Sequence, residues 1–188
     1  KNKLQTFKSV VTTLNTENRF IVNKSNFSNH SSSDSNKVVD ITTTSSATSG
    51  TYSLVVNNLA TETKLISAGF ASTTSRVQHG AIKVTSGTAS ATITIDSTNH
   101  SLDGLRLAIN NLGLDVKAAF LNDGSATNPV RLLVSGNKTG TSGAVTINAG
   151  YTPWGATGSI LTCTTTQEAK NASFTIDGVS IIKSSNTI

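Results

Sequence analysis

The sequence is short of the residues on which many small scaffolds and functional sites depend. It has one cysteine and no methionine, and charged residues make up only 13% and aromatic residues 5% of its 188 positions. A single cysteine excludes a disulfide scaffold. No apolar run approaches the roughly 18 residues that a membrane-spanning helix requires. A coiled coil is excluded as well, because alanine, glutamate, lysine, leucine and arginine do not dominate the composition.

Hydroxyl and amide side chains take the place of the missing charges. Serine and threonine together supply 56 residues, and asparagine supplies 18. Such a chain buries small β-branched residues and covers its surface with hydroxyls and amides. The net charge is +5, but the densest basic group is only Lys1, Lys3 and Lys8, with no aromatic side chain interleaved to stack on bases. A nucleic-acid partner is therefore not predicted.

The start of the chain contains a helical pattern followed by a polar linker. Leu4, Phe7 and Leu14 recur at helical spacing, so residues 1–22 are predicted to form the stub of a helix, with a frayed tail as the alternative. Residues 23–36 are rich in serine and asparagine and predict a linker or loop. No signal peptide opens the chain, and its end falls within a strand-like segment. We therefore expect the 188 residues to be the interior of a longer protein.

From residue 38 onward the apolar pattern acquires a period of two, which is typical of strands. Val39 and Ile41 predict one strand, and the alternation over 52–56 predicts a second, joined to the first around Gly50. The chain is therefore predicted to be mainly β (α+β).

Residues 80–139 have the most regular pattern. Apolar alternation predicts one hairpin over 82–95 and another over 116–134. A helix between the hairpins makes the unit β-β-α-β-β, with one amphipathic helix covering one face of an antiparallel sheet.

The predicted helix runs from about 102 to 112. Ser101 is a good N-cap, and Leu105 and Ile109 fall on the face that should be buried. Asn110 lies beside that face, and a buried unpaired amide is costly. We therefore expect Asn110 to be exposed or to hydrogen-bond a neighbouring loop.

The last part of the chain is predicted to contain further strands. A strand-like segment lies at 145–147. Asp177 and Gly178 form a strong two-residue hairpin signal between alternating segments that begin near Phe174 and Val179.

Catalytic and metal-binding motifs are missing. The three histidines, His30, His79 and His100, are far apart and belong to no ligand pattern, so surface positions are predicted for them. Cys163 gives no tetrahedral site by itself and is predicted to be a small, buried or half-buried residue. No catalytic, cofactor-binding or metal-binding residue is predicted, and the chain is not expected to be an enzyme.

Three other features have structural interpretations. The run 136–140 carries Lys138 and Thr139 but lacks the glycine frame of a phosphate-binding loop, so a turn is favoured. Asp177 precedes a glycine in a hairpin turn, and its predicted role is conformational. Trp154 lies among glycines, where it is either an exposed binding anchor or a residue that fixes the loop to the core.

Several segments together resemble the flagellar filament cap family of hook-associated proteins. Residues 80–139 resemble the flagellin/hook IN motif, which hook-associated proteins share with flagellins. Residues 49–60 resemble the family's GxYxxxVxxLA segment. Residues 172–188 resemble its AxFxIDGxxIxRxSNxI segment, with Lys183 where that pattern usually has arginine. The three matches occur in the family's order.

The resemblance implies a structural protein at the distal end of the bacterial flagellar filament, where exported flagellin subunits fold and insert. It also implies self-association of the full-length protein into a ring of about five subunits, secretion by the flagellar type III route with an export chaperone, and no cofactor or membrane insertion. The family's long terminal helices would be missing, apart from the stub within residues 1–36.

The resemblance further implies two β-rich head domains, one inserted in the other. The first is assigned to residues 37–75 plus 163–188, and the inserted IN-motif domain to residues 76–162. Two alternatives to a filament cap remain open. One is a surface adhesin that binds mucin or other glycans, and the other is a variable domain of flagellin or of another hook-associated protein.

Overall fold

The computed structural model describes residues 3–6, 8, 39–44, 46–151 and 158–187. The chain divides into two compact units, Lys1–Tyr52 and Ser53–Ile188. In the first unit, residues 3–6 and 8 are helical, as predicted for the start of the first helix. The rest of the predicted helix and most of the predicted linker lie outside the described residues.

The strand predicted around Val39 and Ile41 is wrong. Residues 39–44 have no regular secondary structure, and Ile41 is exposed. Two alternating apolar residues bury too little surface to hold a strand, which typically needs about five residues and a partner.

The second unit is mainly β, as predicted. Its described residues form ten strands and one α-helix. In chain order these are β1 (Leu54–Asn58), β2 (Lys64–Ser67), β3 (Gly80–Ser86), β4 (Ala89–Ile95), α1 (Leu102–Asn110), β5 (Val116–Asn122), β6 (Val130–Gly136), β7 (Val145–Tyr151), β8 (Cys163–Gln167), β9 (Ala172–Ile176) and β10 (Val179–Lys183). A short 3₁₀ helix, Thr141–Gly143, precedes β7.

The strands form three antiparallel sheets with the orders β1-β9-β10, β5-β6-β2-β8 and β4-β3-β7. In the first sheet, Val56 pairs with Phe174, so two segments that are far apart in the sequence share a sheet. The predicted hairpin between β9 and β10 is confirmed. Asp177 and Gly178 both have positive φ, 48° and 81°, as a type I′ turn requires.

The β-β-α-β-β order of the central unit is confirmed, but the expectation of one sheet under the helix is wrong. The hairpin β3-β4 and the hairpin β5-β6 lie in different sheets. Each hairpin pairs with a strand from outside the unit: β7 pairs with β3, and β2 pairs with β6. These added pairings extend the two hairpins in separate sheets, and both sheets contribute to the core beneath α1.

Helix α1 follows from its sequence. The Ser101 hydroxyl accepts a hydrogen bond from the Gly104 amide at 3.0 Å, which caps the first turn. Leu105 and Ile109 are 0% and 1% exposed, which confirms the predicted buried face. The helix ends at Asn110, two residues before the predicted end. Leu112 N donates to Ile109 O in a tighter i−3 bond, and the chain then turns into β5.

The core of the second unit is one cluster that draws on the sheets β5-β6-β2-β8 and β4-β3-β7 and on α1. Its fully buried apolar members are Val77, Ile82, Val84, Leu102, Leu105, Ile109, Leu132 and Val134. The strands β2 and β8 also pair with this body: β2 lies between β6 and β8.

Among the described residues, no helix combines the length and the apolar character needed to cross a membrane.

Candidate interaction surfaces

Two of the three histidines lie close together. The ring centroids of His79 and His100 are 5.7 Å apart, edge to face, because Val77 N donates to His100 O at 2.7 Å and so brings the two segments side by side. Their distance in sequence gave no sign of this contact. His30 lies outside the described residues. The described part of the chain holds no group of three or more histidine, cysteine or acidic residues that could bind a metal ion.

The single thiol is suited to packing. Cys163 is half-buried at the start of β8, as predicted. Burial raises the pKa of its thiol to about 11. At neutral pH the thiol is therefore protonated and a poor nucleophile.

The lysine of the run 136–140 is held by a carboxylate. Lys138 Nζ lies 2.7 Å from Asp115 Oδ2, and Asn137 N donates to Asp115 O at 3.0 Å. These bonds fix the chain that leaves β6. Lys138 is thus paired with a carboxylate in the bend that follows β6.

Asp177 has the predicted conformational role. Its Oδ1 accepts from Ser53 N at 2.7 Å, and its own amide donates to Ser53 O at 2.9 Å. The turn between β9 and β10 is thereby attached to the residue that precedes β1.

Two other carboxylates stabilise their own loops. The pKa of Asp123 is lowered to about 2, first by hydrogen bonds from Ser125 and then by the neighbouring Arg131. The pKa of Asp96 is lowered by hydrogen bonds from the Thr98 hydroxyl and amide. Both groups are ionised at neutral pH and shape the turns in which they lie.

A shallow depression lies beside the start of β7 and the end of β8. It encloses about 220 Å³, below the roughly 300 Å³ at which ligand pockets begin. Its lining consists of Thr63, Ala144, Val145, Thr165, Glu168 and Ala169. The small volume does not suit a drug-sized ligand.

The outer strands carry hydroxyl groups in place of charges. Strand β8 lies at the edge of its sheet and exposes Thr164, Thr165 and Thr166. Strand β4, at the edge of another sheet, exposes Thr92 and Thr94. Polar surfaces with few charges resemble the rims of modest, exchangeable protein interfaces.

The sheet β1-β9-β10 also has an apolar face. Register places Leu54, Ile176 and Val179 opposite one another, with Val56, Phe174 and Ile181 in the next row. Leu54 is 38% and Val179 65% exposed, whereas Phe174 is 4% exposed. Trp154, whose exposure would favour the adhesin alternative, lies outside the described residues.

The chain is similar to flagellar proteins in sequence and in fold. Residues 1–63 match the family described as the N-terminus of flagellar hook-associated protein 2. Over 195 aligned residues the chain is 31% identical to flagellar hook-associated protein 2 of Escherichia coli K12, covering 97% of this chain and 41% of that protein. The chain thus spans less than half the length of the curated relatives it matches.

Two crystal structures share the fold. The D2-D3 domains of the flagellar cap protein FliD from Escherichia coli superpose with a TM-score of 0.62 and 30% identity, covering 73% of this chain and 74% of that one. FliD (HAP2) from Pseudomonas aeruginosa PAO1 superposes with a TM-score of 0.66 and 26% identity, covering 76% and 70% of the two chains.

Proposed function

Because this chain belongs to the flagellar hook-associated protein 2 family, we propose that it supplies part of the head of a distal cap on the bacterial flagellar filament. The role is structural and not enzymatic: the cap holds the growing end while exported flagellin subunits fold and insert beneath it. The observation that carries the proposal is the shared fold and 30% identity with the D2-D3 domains of the Escherichia coli cap protein.

The surfaces of the described residues support this role. A cap has to keep its position while subunits pass, which requires contacts that form and break repeatedly. Exposed threonines on β4 and β8 favour weak interfaces over a permanent apolar one. Flagellin is accordingly the proposed partner of these hydroxyl-rich surfaces.

The remaining features of the family belong to the same proposal. The full-length protein associates with itself into a ring at the filament tip. It reaches that tip by secretion through the flagellar type III route, with an export chaperone as a further partner. No cofactor, nucleic acid or membrane insertion is part of this function.

We also propose that the second unit comprises two head bodies. The smaller body is formed by β1, β9 and β10 with their flanking residues, 53–60 and 171–187. The larger body, residues 61–170, is inserted between β1 and β9. The pairing of β2 with β6 and β8 supports these boundaries, which lie outside the predicted insertion of 76–162.

Complementation tests the proposed function. In an Escherichia coli strain that lacks its cap protein, a chimera carries this chain in place of the matching segment of the host protein. We expect filaments to grow, and flagellin to leave the culture medium and appear in the filaments. The measurements are electron microscopy of the filaments and an immunoblot of flagellin in the medium.

Two controls accompany the chimera. The native cap protein sets full activity, and residues 1–188 expressed alone should restore neither filaments nor swimming. A chimera that is secreted and folded while flagellin still leaks into the medium would refute the proposed function. Growth restored by residues 1–188 alone would show that the head itself contains the determinants of assembly.

A further inference from the structure

Two neighbouring chain segments connect the smaller and the larger body. One runs through Ala60 and Thr61, and the other through Lys170 and Asn171. Thr61 N donates to Lys170 O at 2.9 Å, and Lys170 N donates to Thr61 O at 3.1 Å. Two paired connections of this kind lie along one line, and by themselves they would form a hinge about which one body could swing.

A third contact between the two bodies is not covalent. The loop between β6 and the 3₁₀ helix reaches the residues that follow β10, where the Thr139 hydroxyl donates to Ser184 O at 2.7 Å. The next residue, Gly140, is buried with φ of +83°. A Cβ atom at Gly140 would lie 2.6 Å from Ser184 Cα, so the close approach of the two bodies requires glycine here.

The loop is also attached to the hinge line. Gly140 N donates to Thr61 O at 3.0 Å, and Thr141 N donates to the Asn171 side chain, Oδ1, at 2.9 Å. The third contact therefore cannot shift without breaking bonds to both connecting segments.

Asn186 fixes the segment that carries Ser184. Its Oδ1 accepts from Ala60 N at 2.7 Å, and its Nδ2 donates to Ala60 O at 3.0 Å. The amide thus satisfies both backbone groups of Ala60, a residue that is only 4% exposed. An amide side chain that bonds both the N–H and the C=O of one residue is fixed in orientation, because a single hydrogen bond would let the side chain rotate about it.

We propose that Thr139, Gly140, Ser184, Asn186 and Ala60 form a junction clamp that locks the smaller and the larger body at one fixed angle. The two covalent connections supply the hinge line, the contact of Thr139 and Gly140 with Ser184 blocks the swing, and Asn186 holds Ser184 in place. The clamp is a property of this chain's geometry and holds whether or not the chain caps a filament.

Distance measurements between the two bodies test the clamp. In a Cys163→Ala background of the full 188-residue chain, Leu107→Cys on α1 and Ser180→Cys on β10 carry spin labels at exposed positions. Pulsed electron paramagnetic resonance then gives the distribution of distances between them. We expect one narrow distribution for the intact clamp. The variants Thr139→Val and Asn186→Ala should each broaden it about twofold, as a released hinge does.

Matched controls separate the clamp from general loosening. Asn57→Ala removes an amide that donates to the Ser173 hydroxyl within the smaller body, and it should leave the distribution unchanged. Gly124→Ala introduces a side chain at φ of +75° with no atom within 4 Å of the new Cβ. Gly140→Ala adds the collision with Ser184 to the same backbone strain, so it should move or broaden the distribution where Gly124→Ala does not.

Circular dichroism on each variant verifies that both bodies remain folded. Thr139→Val is close in shape to the native side chain, so it tests the clamp even if Gly140→Ala does not fold. A narrow, unshifted distribution in folded Thr139→Val and Asn186→Ala would overturn the proposal. A broad distance distribution in the labelled chain whose clamp residues are intact would overturn it as well.

Discussion

Replacement of Ile109 by alanine measures how much of the stability depends on the buried face of α1. Ile109 is 1% exposed within the central cluster. The substitution removes three carbon atoms at about 0.8 kcal/mol each, or roughly 2.4 kcal/mol of transfer free energy. The cavity left behind adds to this loss, which places the total at about 2–5 kcal/mol. For a chain of this size the melting midpoint should fall by roughly 4–20 °C.

Thermal unfolding followed by far-ultraviolet circular dichroism gives the midpoint. Leu107→Ala is the matched control, because Leu107 lies on the same helix and is 46% exposed. We expect the control to change the free energy of unfolding by no more than about 0.5 kcal/mol. An unchanged midpoint in Ile109→Ala, or an equal loss in both variants, would refute the assignment of the buried face.

Three further predictions concern single groups and the whole chain. Asn110→Ala removes the bonds of this side chain to Ala118 N and O and should lower the free energy of unfolding by about 1–2 kcal/mol in urea titrations; no loss would show that these bonds are not formed in solution. Because burial raises the pKa of the Cys163 thiol to about 11, the folded protein should react slowly with Ellman's reagent at pH 8, and the unfolded protein at once. The raised folded pKa also means that this residue's contribution to stability is present below about pH 9 and is lost as the pH rises towards 11; a thiol equally reactive in both states would contradict the burial. Finally, sedimentation velocity should show residues 1–188 as monomers or weak oligomers at micromolar concentration, whereas a ring that survives dilution would locate the assembly contacts in the head.

The elements predicted correctly are those specified by neighbouring residues. Helix α1 follows from the Ser101 cap and the spacing of Leu105 and Ile109. The hairpin β9-β10 follows from Asp177 and Gly178, because only a few residues tolerate positive φ. In both cases the residues that specify the element lie within about ten positions of one another in the sequence.

The strands β2 and β8 were not predicted because their determinants are distant. Strand β8 is Cys163–Gln167, a run of threonines without apolar alternation. Strand β2 has four residues and is held by Val134 and Leu133 of β6, opposite Leu65 and Ile66. Pairing across such separations depends on tertiary packing, which local periodicity does not encode.

The contact that fixes the Ser184 segment to Ala60 could not be predicted from the sequence either. The Asn186 side-chain amide bonds the backbone of Ala60. A single polar side chain produces no periodic pattern in the sequence, and this chain has 18 asparagines from which to choose. The family resemblance included both segments but gave no reason for the asparagine. The geometry supplies one, because the amide matches the backbone N–H and C=O of one residue.

The position of the protein on the flagellum tests the cap assignment most directly. In the chimera described above, Ala126→Cys places a reactive thiol on the exposed loop between β5 and β6, which a maleimide dye can label on living cells. We predict one fluorescent spot at the distal end of each filament. Label along the whole filament shaft would indicate a flagellin-like subunit, and label spread over the cell surface would indicate an adhesin. Either pattern would contradict the cap.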